Sequence, residues 1–282
     1  MRSIEAEDKQ MSEENVIAQT GTPFTASSLA AALRECGLDA GQTVLAHIAM
    51  SKLGWVIGGA EGVIRALLAA LGPTGTLMMP THTGNNTDPA EWQHPPVPKS
   101  WWQLIRDHTP AYQPAITPTR QMGAIPELFR IWPGVLRSDH PVTSFAALGP
   151  NAPYLIHHHA LTDDVGERSP LGRLYDLDGY VLLLGVRHWN NTSLHLAEHR
   201  ADYPGKSTLH TGAAMLINGE RVWMPYDTLD TYGEDFGELG QAFDEAHCVE
   251  LQRIGQAEVR LFKQRPLVDF AVEWIEKYRD LS

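Results

Sequence analysis

The stretch TVLAHIAMSKLGWVIGGAEGVIRALLAALGPTGTLMMP, residues 43–80, decides the fold. Thr43 to His47 reads as a strand, and the glycine-rich loop Ser51-Lys-Leu-Gly-Trp-Val-Ile-Gly-Gly59 follows it. Glu61 to Leu71 carries a helical apolar pattern, Gly72-Pro-Thr-Gly75 is a turn, and Thr76 to Pro80 is a second, fully apolar strand. Strand, loop, helix and strand in that order form a parallel crossover unit, right-handed because twisted strands and right-handed helices pack back only that way.

Working outward, Thr25 to Cys36 is an amphipathic helix with Leu29, Ala32 and Leu33 on its apolar face and Gly37 as its stop. Residues 1–23 are polar, lack apolar periodicity and read as a mobile tail, leaving 24–282 as one domain. Downstream, Tyr180 to Val186 suits a strand buried on both faces, and after Arg187 to Asn191 a helix runs from Thr192 to Arg200. This is a second strand-loop-helix unit. Ala213 to Met224 places Asn218-Gly219 between two apolar runs, the signature of a hairpin. Helices over Glu238 to Ile254 and Pro266 to Tyr278 flank a strand at Glu258 to Phe262. Asn85 to Pro118, rich in proline and tryptophan, shows no helical or strand period and reads as a long functional loop. The expectation is a single α/β domain: a central, partly parallel sheet flanked by helices, plus an antiparallel hairpin.

Composition narrows the function. A formal net charge of −12, from 34 acidic and 22 basic side chains, offers little cation to offset phosphate and argues against nucleic acid, while suiting a cationic ligand. The longest apolar runs are too short to span a bilayer and the acidic start does not resemble a signal peptide, so no membrane is expected and the cytoplasm is the expected compartment. The two cysteines, Cys36 and Cys248, belong to no nucleophile or zinc motif and read as packing residues.

Two helix-initial loops are candidate ligand sites, because free amides and the positive end of a helix dipole face outward there. The loop Ser51 to Gly59 could cradle a pyrophosphate, with Lys52 adding charge, although it fits neither the Walker A nor the Rossmann pattern. The second leads into Thr192-Ser-Leu-His-Leu-Ala-Glu-His199, where His195 and Glu198 share one helical face and Thr192 is placed to cap the helix. A carboxylate can hold an imidazole in position there, and a histidine can relieve an ammonium group of the proton that blocks its attack on an acyl donor. A plain surface pair satisfies the spacing equally well. So does zinc: His195-Leu-Ala-Glu198-His199 fits the H-x-x-E-H pattern, though no second motif nominates a third ligand, and His157-His158-His159 reads as an exposed loop. The acetyl-coenzyme A loop of GNAT enzymes is absent: the nearest run, Arg120-Gln-Met-Gly123-Ala-Ile125, fails at its last position.

Taken in order, a set of segments is similar to the aminoglycoside 3-N-acetyltransferases, the non-GNAT antibiotic N-acetyltransferases. They are Ser51 to Ala60, Gly75 to Thr81, Pro95-Pro-Val-Pro with Trp101-Trp102, Thr117 to Gly123, Arg137-Ser-Asp-His-Pro141, Ser144 to Gly149, Ser169-Pro170, and Leu182 to Val186 with Thr192 to Glu198. The resemblance implies that acetyl-coenzyme A is the cosubstrate, with no metal, and that the acceptor is the 3-amine of an aminoglycoside. It implies that Ser51, Lys52, Gly54, Trp55, Val56, Gly58 and Gly59 bind coenzyme A, with His47, Arg120, Ser138 and His140 near the cofactor or reaction centre. It further implies that His195 is the general base, Glu198 its positioning group, and Thr192 a neighbour of the thioester. Asp227, Asp230 and Asp235 resemble the family's carboxylate-rich stretch, with Asp230 also helping to orient the base, and Asp88 and Trp102 are candidates for the substrate wall alongside Glu198. Transfer is then direct, without an acyl-enzyme. Expected partners are the aminoglycoside and, at most, a second copy of the chain. Two departures stand out: Ile48 and Ala49 replace small hydroxyl residues after His47, and Arg187-His188-Trp189 replaces a glycine followed by His-Asp. Acetylation of another amine, such as a biosynthetic intermediate, a zinc hydrolase built on His195, Glu198 and His199, and a non-catalytic cation-binding protein are the alternatives.

Overall fold

The computed structural model describes residues 13–93 and 95–282. Helix α1 (Glu13–Gln19) precedes α2 (Ala26–Glu35), which Thr25 and Ser28 start with a reciprocal capping box and whose Leu29, Ala30 and Leu33 are buried. Strand β1 (Thr43–Ile48), the short helix α3 (Met50–Leu53), helix α4 (Gly59–Leu71) and strand β2 (Thr76–Pro80) are the crossover unit expected from the sequence. β1 and β2 pair in parallel, Leu45 opposite Met78. Helix α4 can begin so sharply because Gly58 takes a left-handed φ of 83°, and a Cβ at Gly62 would lie 2.3 Å from the carbonyl oxygen of Ile57.

The chain continues through α5 (Trp102–His108), α6 (Ala124–Phe129), β3 (Leu136–Arg137), β4 (Phe145–Leu148), α7 (Ala152–Ile156) and α8 (Pro170–Asp176) to β5 (Tyr180–Leu184) and α9 (Ser193–Arg200). A hairpin of β6 (Thr208–Ile217) and β7 (Glu220–Leu229) follows, then α10 (Phe236–Ala246), β8 (Gln252–Ile254), β9 (Ala257–Lys263) and α11 (Gln264–Tyr278). The main sheet has the order β3-β4-β2-β1-β5-β9-β8. β2, β1 and β5 are its parallel centre, and antiparallel pairs extend it on both sides. The partly parallel sheet and separate hairpin expected from the sequence are both present.

Side chains alternate across the central strands into two cores. Val44, Ala46, Leu182 and Leu184 face α2 and α4, while Leu45, Val181 and Leu183 face α9, α10 and α11. Each fully buried leucine or phenylalanine contributes about 1.5–3 kcal/mol, so the sheet is fixed from both sides. This leaves the carboxyl ends of β1, β2 and β5, adjacent in space, to shape a cavity.

Several sequence readings change. The strand expected over Tyr180 to Val186 stops at Leu184, because Gly185 turns with a φ of 71°. The helix expected over Glu238 to Ile254 ends at Ala246; Cys248 takes a φ of 51°, and Gln252–Ile254 becomes edge strand β8 against β9. Asn85 to Pro118 contains helix α5, and Arg221 of the hairpin donates to the Thr109 carbonyl just beyond it. The hairpin is longer than its apolar runs, with Asn218 and Gly219 both at positive φ in a two-residue turn. Of the expected tail, residues 1–12 lie outside the described residues; Glu13–Gln19 is helical and the Thr20 hydroxyl accepts the Trp55 N–H at 2.8 Å.

Candidate active site

Helix α9 leaves the β5 end of the sheet and carries His195 to the cavity wall. Its first turn is capped by Asn191, whose Oδ1 accepts the Ser193 N–H. Thr192 makes no cap; its hydroxyl instead shares a 3.2 Å hydrogen bond with His47 Nε2 at the end of β1. The loop between β5 and α9 is thereby tied to the sheet next to the reacting groups.

His195 donates from Nδ1 to Glu198 Oε2 at 2.6 Å, which leaves Nε2 for a ligand. Glu198 is fully buried, and its other oxygen accepts from the Tyr232 N–H at 3.0 Å, the Gly233 N–H at 3.2 Å and Arg279 Nη1 at 2.6 Å. Burial pushes the Glu198 carboxyl up, but the hydrogen bond and charge of His195, the Arg279 charge and the Tyr232 amide outweigh it and hold the group below its ordinary value. Arg279 in turn grips Asp235 with two bonds of 2.7 and 2.6 Å. The imidazole also packs on Phe236, ring centres 4.8 Å apart. Its orientation is therefore set by a buried chain of charges, and it is far from a loose surface pair.

The cavity is open on one side and has a volume of about 260 Å³. His47, His82, Gln121, Met122, Thr192 and His195 are on its wall. Burial, then the neighbouring His82, pushes the His47 imidazole down to about 3, so His47 is neutral across the working range. Trp189 sits at the same wall and is 52% exposed. Its sequence departure is accommodated from α10: a Cβ at Gly237 would meet the Trp189 ring at 2.7 Å, and one at Gly240 would meet His188 at 2.0 Å. His188 itself is buried, stacked on Phe262 and bonded to Asp244 at 3.0 Å.

The residues singled out from the sequence divide into groups. His47, Thr192 and His195 come together at the cavity with Glu198 behind them. Ser51 and Lys52 lie on α3, with the Lys52 side chain against Gly185, while Gly54, Trp55, Val56, Gly58 and Gly59 lead into α4, whose first turn has no side-chain cap. None of these seven is on the cavity wall, which the chain leaves at Ile48. Arg120 binds the Asn85 side chain and donates its N–H to the His82 carbonyl. Ser138 and His140 sit in a buried network instead: Ser138 Oγ is bonded to His159, and His140 Nδ1 accepts from Val142 and Thr143. Asp88 is paired with Arg106, which also lies over the Trp102 ring, and Asp227 is exposed and bonded to His210. Asp230 accepts from Ser207, whereas Glu198 is the partner of His195.

The zinc reading meets a different geometry. His199 is 3.2 Å from Asp163 and 3.7 Å from Asp164, and Glu198 is engaged by His195 and Arg279. Among the described residues no group of three or more histidine, cysteine, aspartate or glutamate side chains is placed to hold a metal. Sequence reasoning missed Arg279, which is 81 positions from Glu198 and follows the last helix with no motif around it. It also missed His82, whose only sequence signal is its place directly beyond the apolar strand β2.

The fold and this cavity define an α/β enzyme. A family profile described as aminoglycoside 3-N-acetyltransferase matches residues 45–276. The chain is 43% identical, over 92% of its length and 95% of the relative, to an SPbeta prophage-derived aminoglycoside N(3')-acetyltransferase-like protein, YokD, of Bacillus subtilis. The YokD crystal structure superposes with a TM-score of 0.91, covering 94% of this chain and 98% of that one. This chain is also 38% identical to aminoglycoside N(3)-acetyltransferase VIII of Streptomyces fradiae, over 94% of its length and 96% of that protein. A structure of AAC-IIIb in binary complex with CoASH matches at 30% identity and a TM-score of 0.83, covering 93% of this chain and 99% of that one. The chain belongs to the aminoglycoside 3-N-acetyltransferase family.

Proposed function

We propose that this chain transfers an acetyl group from acetyl-coenzyme A to the 3-amine of an aminoglycoside, and so confers resistance to it. The observation that carries the reading is the His195–Glu198–Arg279–Asp235 chain behind a cavity wall in a chain of this family. His195 Nε2 takes a proton from the substrate nitrogen, and the resulting imidazolium keeps its Nδ1–H on the Glu198 carboxylate. The freed nitrogen pair forms a bond to the thioester carbon, the carbon–sulfur bond breaks, and coenzyme A leaves as a thiolate that takes up a proton. Arg279 balances the buried carboxylate, so Glu198 remains ionised through the cycle.

The family relative bound to CoASH supports coenzyme A as the donor, and the uncapped start of α4 with Lys52 supports the segment from Ser51 to Gly59 as the seat of its phosphates and pantetheine. The acidic surplus and the carboxylates around the hairpin support a polycationic acceptor. We place the reaction in the cytoplasm; among the described residues no helix is long and apolar enough to cross a membrane. The departure at Trp189, on the cavity wall, favours one second reading, acetylation of a different amine with a narrower approach to the base. Incubation with acetyl-coenzyme A and gentamicin, tobramycin, kanamycin or apramycin, with thiol release followed and the acetyl group located, tests both. Acetylation at the 3-amine is the expected result; no thiol release with any of the four overturns the first reading.

A further inference from the structure

His82, one of three histidines on the cavity wall, plays no part in that scheme. His82 directly follows Pro80 and Thr81 at the end of β2, and lines the cavity together with His195 and Thr192. Its carbonyl accepts the Arg120 N–H at 2.9 Å, and its ring stands edge-on to Phe145, centres 5.3 Å apart at 81°. The main chain is thus anchored and the ring packs edge-on against one aromatic neighbour. Its Nε2 is buried and has no hydrogen-bond partner among the described residues, although the residue as a whole is only partly buried. With Nε2 buried and the residue on the cavity wall, Nδ1 is the ring nitrogen left to meet a ligand.

Its charge state follows from its surroundings. Burial, then the nearby His195, pushes the imidazole down to about 3 against the weaker pull of Asp164, so His82 is neutral and carries one N–H. An N–H on the buried Nε2 would have nothing to bond, whereas one on Nδ1 meets whatever enters the cavity. Among the described residues no carboxylate holds His82 as Glu198 holds His195, so it is poorly suited to accept a proton. It is well suited to give a hydrogen bond without losing the proton, as a neutral histidine electrophile does.

We infer that His82 Nδ1–H donates to the acetyl carbonyl oxygen and stabilises the oxyanion formed when the amine adds to the thioester. As the nitrogen–carbon bond forms, the carbonyl π pair moves onto oxygen, where the fixed N–H meets it. Collapse restores the carbonyl and expels the coenzyme A thiolate with the carbon–sulfur pair. His82 keeps its proton throughout. Fixed donors aimed at developing charge act without reorganising, which is why loss of one costs about 10²- to 10³-fold in turnover. The inference rests on the proposed reading of His195 as the base.

The test compares His82→Leu and His82→Asn in the full chain, with kcat and KM for acetyl-coenzyme A and gentamicin measured by thiol release, and with thermal melting and coenzyme A binding alongside. His82→Leu is expected to lower kcat about 10²- to 10³-fold while both KM values stay within about threefold, and Asn, whose side-chain N–H replaces Nδ1–H, to recover at least about tenfold over Leu. A folded Leu variant with turnover within about threefold of the parent overturns the inference, as does an Asn variant as slow as Leu. Should His82→Leu fail to melt cooperatively, His82→Phe takes its place in the comparison with Asn. His195→Ala serves as the separator: if it is inactive while folded His82→Leu is active, only the His82 role falls, and if it is active the reading of the whole site falls.

Discussion

Helix α9 carries two histidines one turn apart, and they are used in opposite ways. His195 has a single carboxylate partner, keeps one ring nitrogen toward a cavity, and remains 24% exposed at its side chain. His199 stands between Asp163 and Asp164, which come from the loop before α8. Burial pushes His199 down, but the two carboxylates prevail and raise it to about 9. One histidine is therefore arranged to exchange a proton and the other to hold one. Asp164 also accepts the Thr228 hydroxyl at 2.6 Å, so the His199 cluster pins the hairpin to α9 beside the cavity. The lesson is that the number of partner carboxylates and access to the second nitrogen, more than the sequence motif, separate a proton carrier from a clamp.

The comparison can be broken most forcefully at His195. His195→Ala should lower kcat about 10²- to 10⁴-fold with unchanged melting behaviour, whereas His199→Gln should leave kcat within about tenfold. Comparable losses from the two would erase the distinction drawn between them. Next in size is Arg279, nearly inaccessible and the only cation bonded to Glu198 among the described residues apart from His195. Arg279→Leu leaves a buried carboxylate without its counter-charge, and should cost about 3–5 kcal/mol in chemical denaturation. A loss below about 1 kcal/mol would place Glu198 in a wetter setting than the structure has it.

His199 sharpens the comparison through pH. Its folded value lies above the ordinary 6.5, so its stabilisation is fully present below 6.5 and is lost as pH rises through about 9. That window corresponds to about 3 kcal/mol between pH 6 and pH 10, read as a fall in unfolding free energy that His199→Gln should flatten. An equal slope in the variant would assign the effect elsewhere. The smallest expected change is at Glu61 and Arg65, an exposed helical pair 2.8 Å apart; Glu61→Gln should shift stability by about 0.5 kcal/mol or less, a baseline for the buried pairs.

Much of the fold was legible because it depends on local patterns. The apolar run Tyr180 to Val186, most of which is β5, the amphipathic helix within Thr25 to Cys36 and the Asn218-Gly219 turn each declare themselves within a few residues. Strands β3 and β4 were not legible: two and four residues long, they are strands because Phe145 to Leu148 lies against β2. Helix α5 hid in a proline-rich segment and is shaped by its contacts with the hairpin. At the site, the spacing of His195 and Glu198 was visible, but whether it meant a surface pair, a metal site or a catalytic pair was not.

The sequence by itself determined the crossover unit at the centre of the sheet, the second strand-loop-helix unit, the hairpin, and, through the run of segments shared with a known family, the kind of chemistry to look for. Burial and long-range pairing were decided only in the tertiary structure. Arg279 reaches Glu198 across 81 positions, Thr192 reaches His47 across 145, and His82 arrives beside His195 from another strand. A side chain's acid–base character depends on what desolvates it and which charges stand within a few ångströms, and those neighbours are assembled by the packing of the sheet.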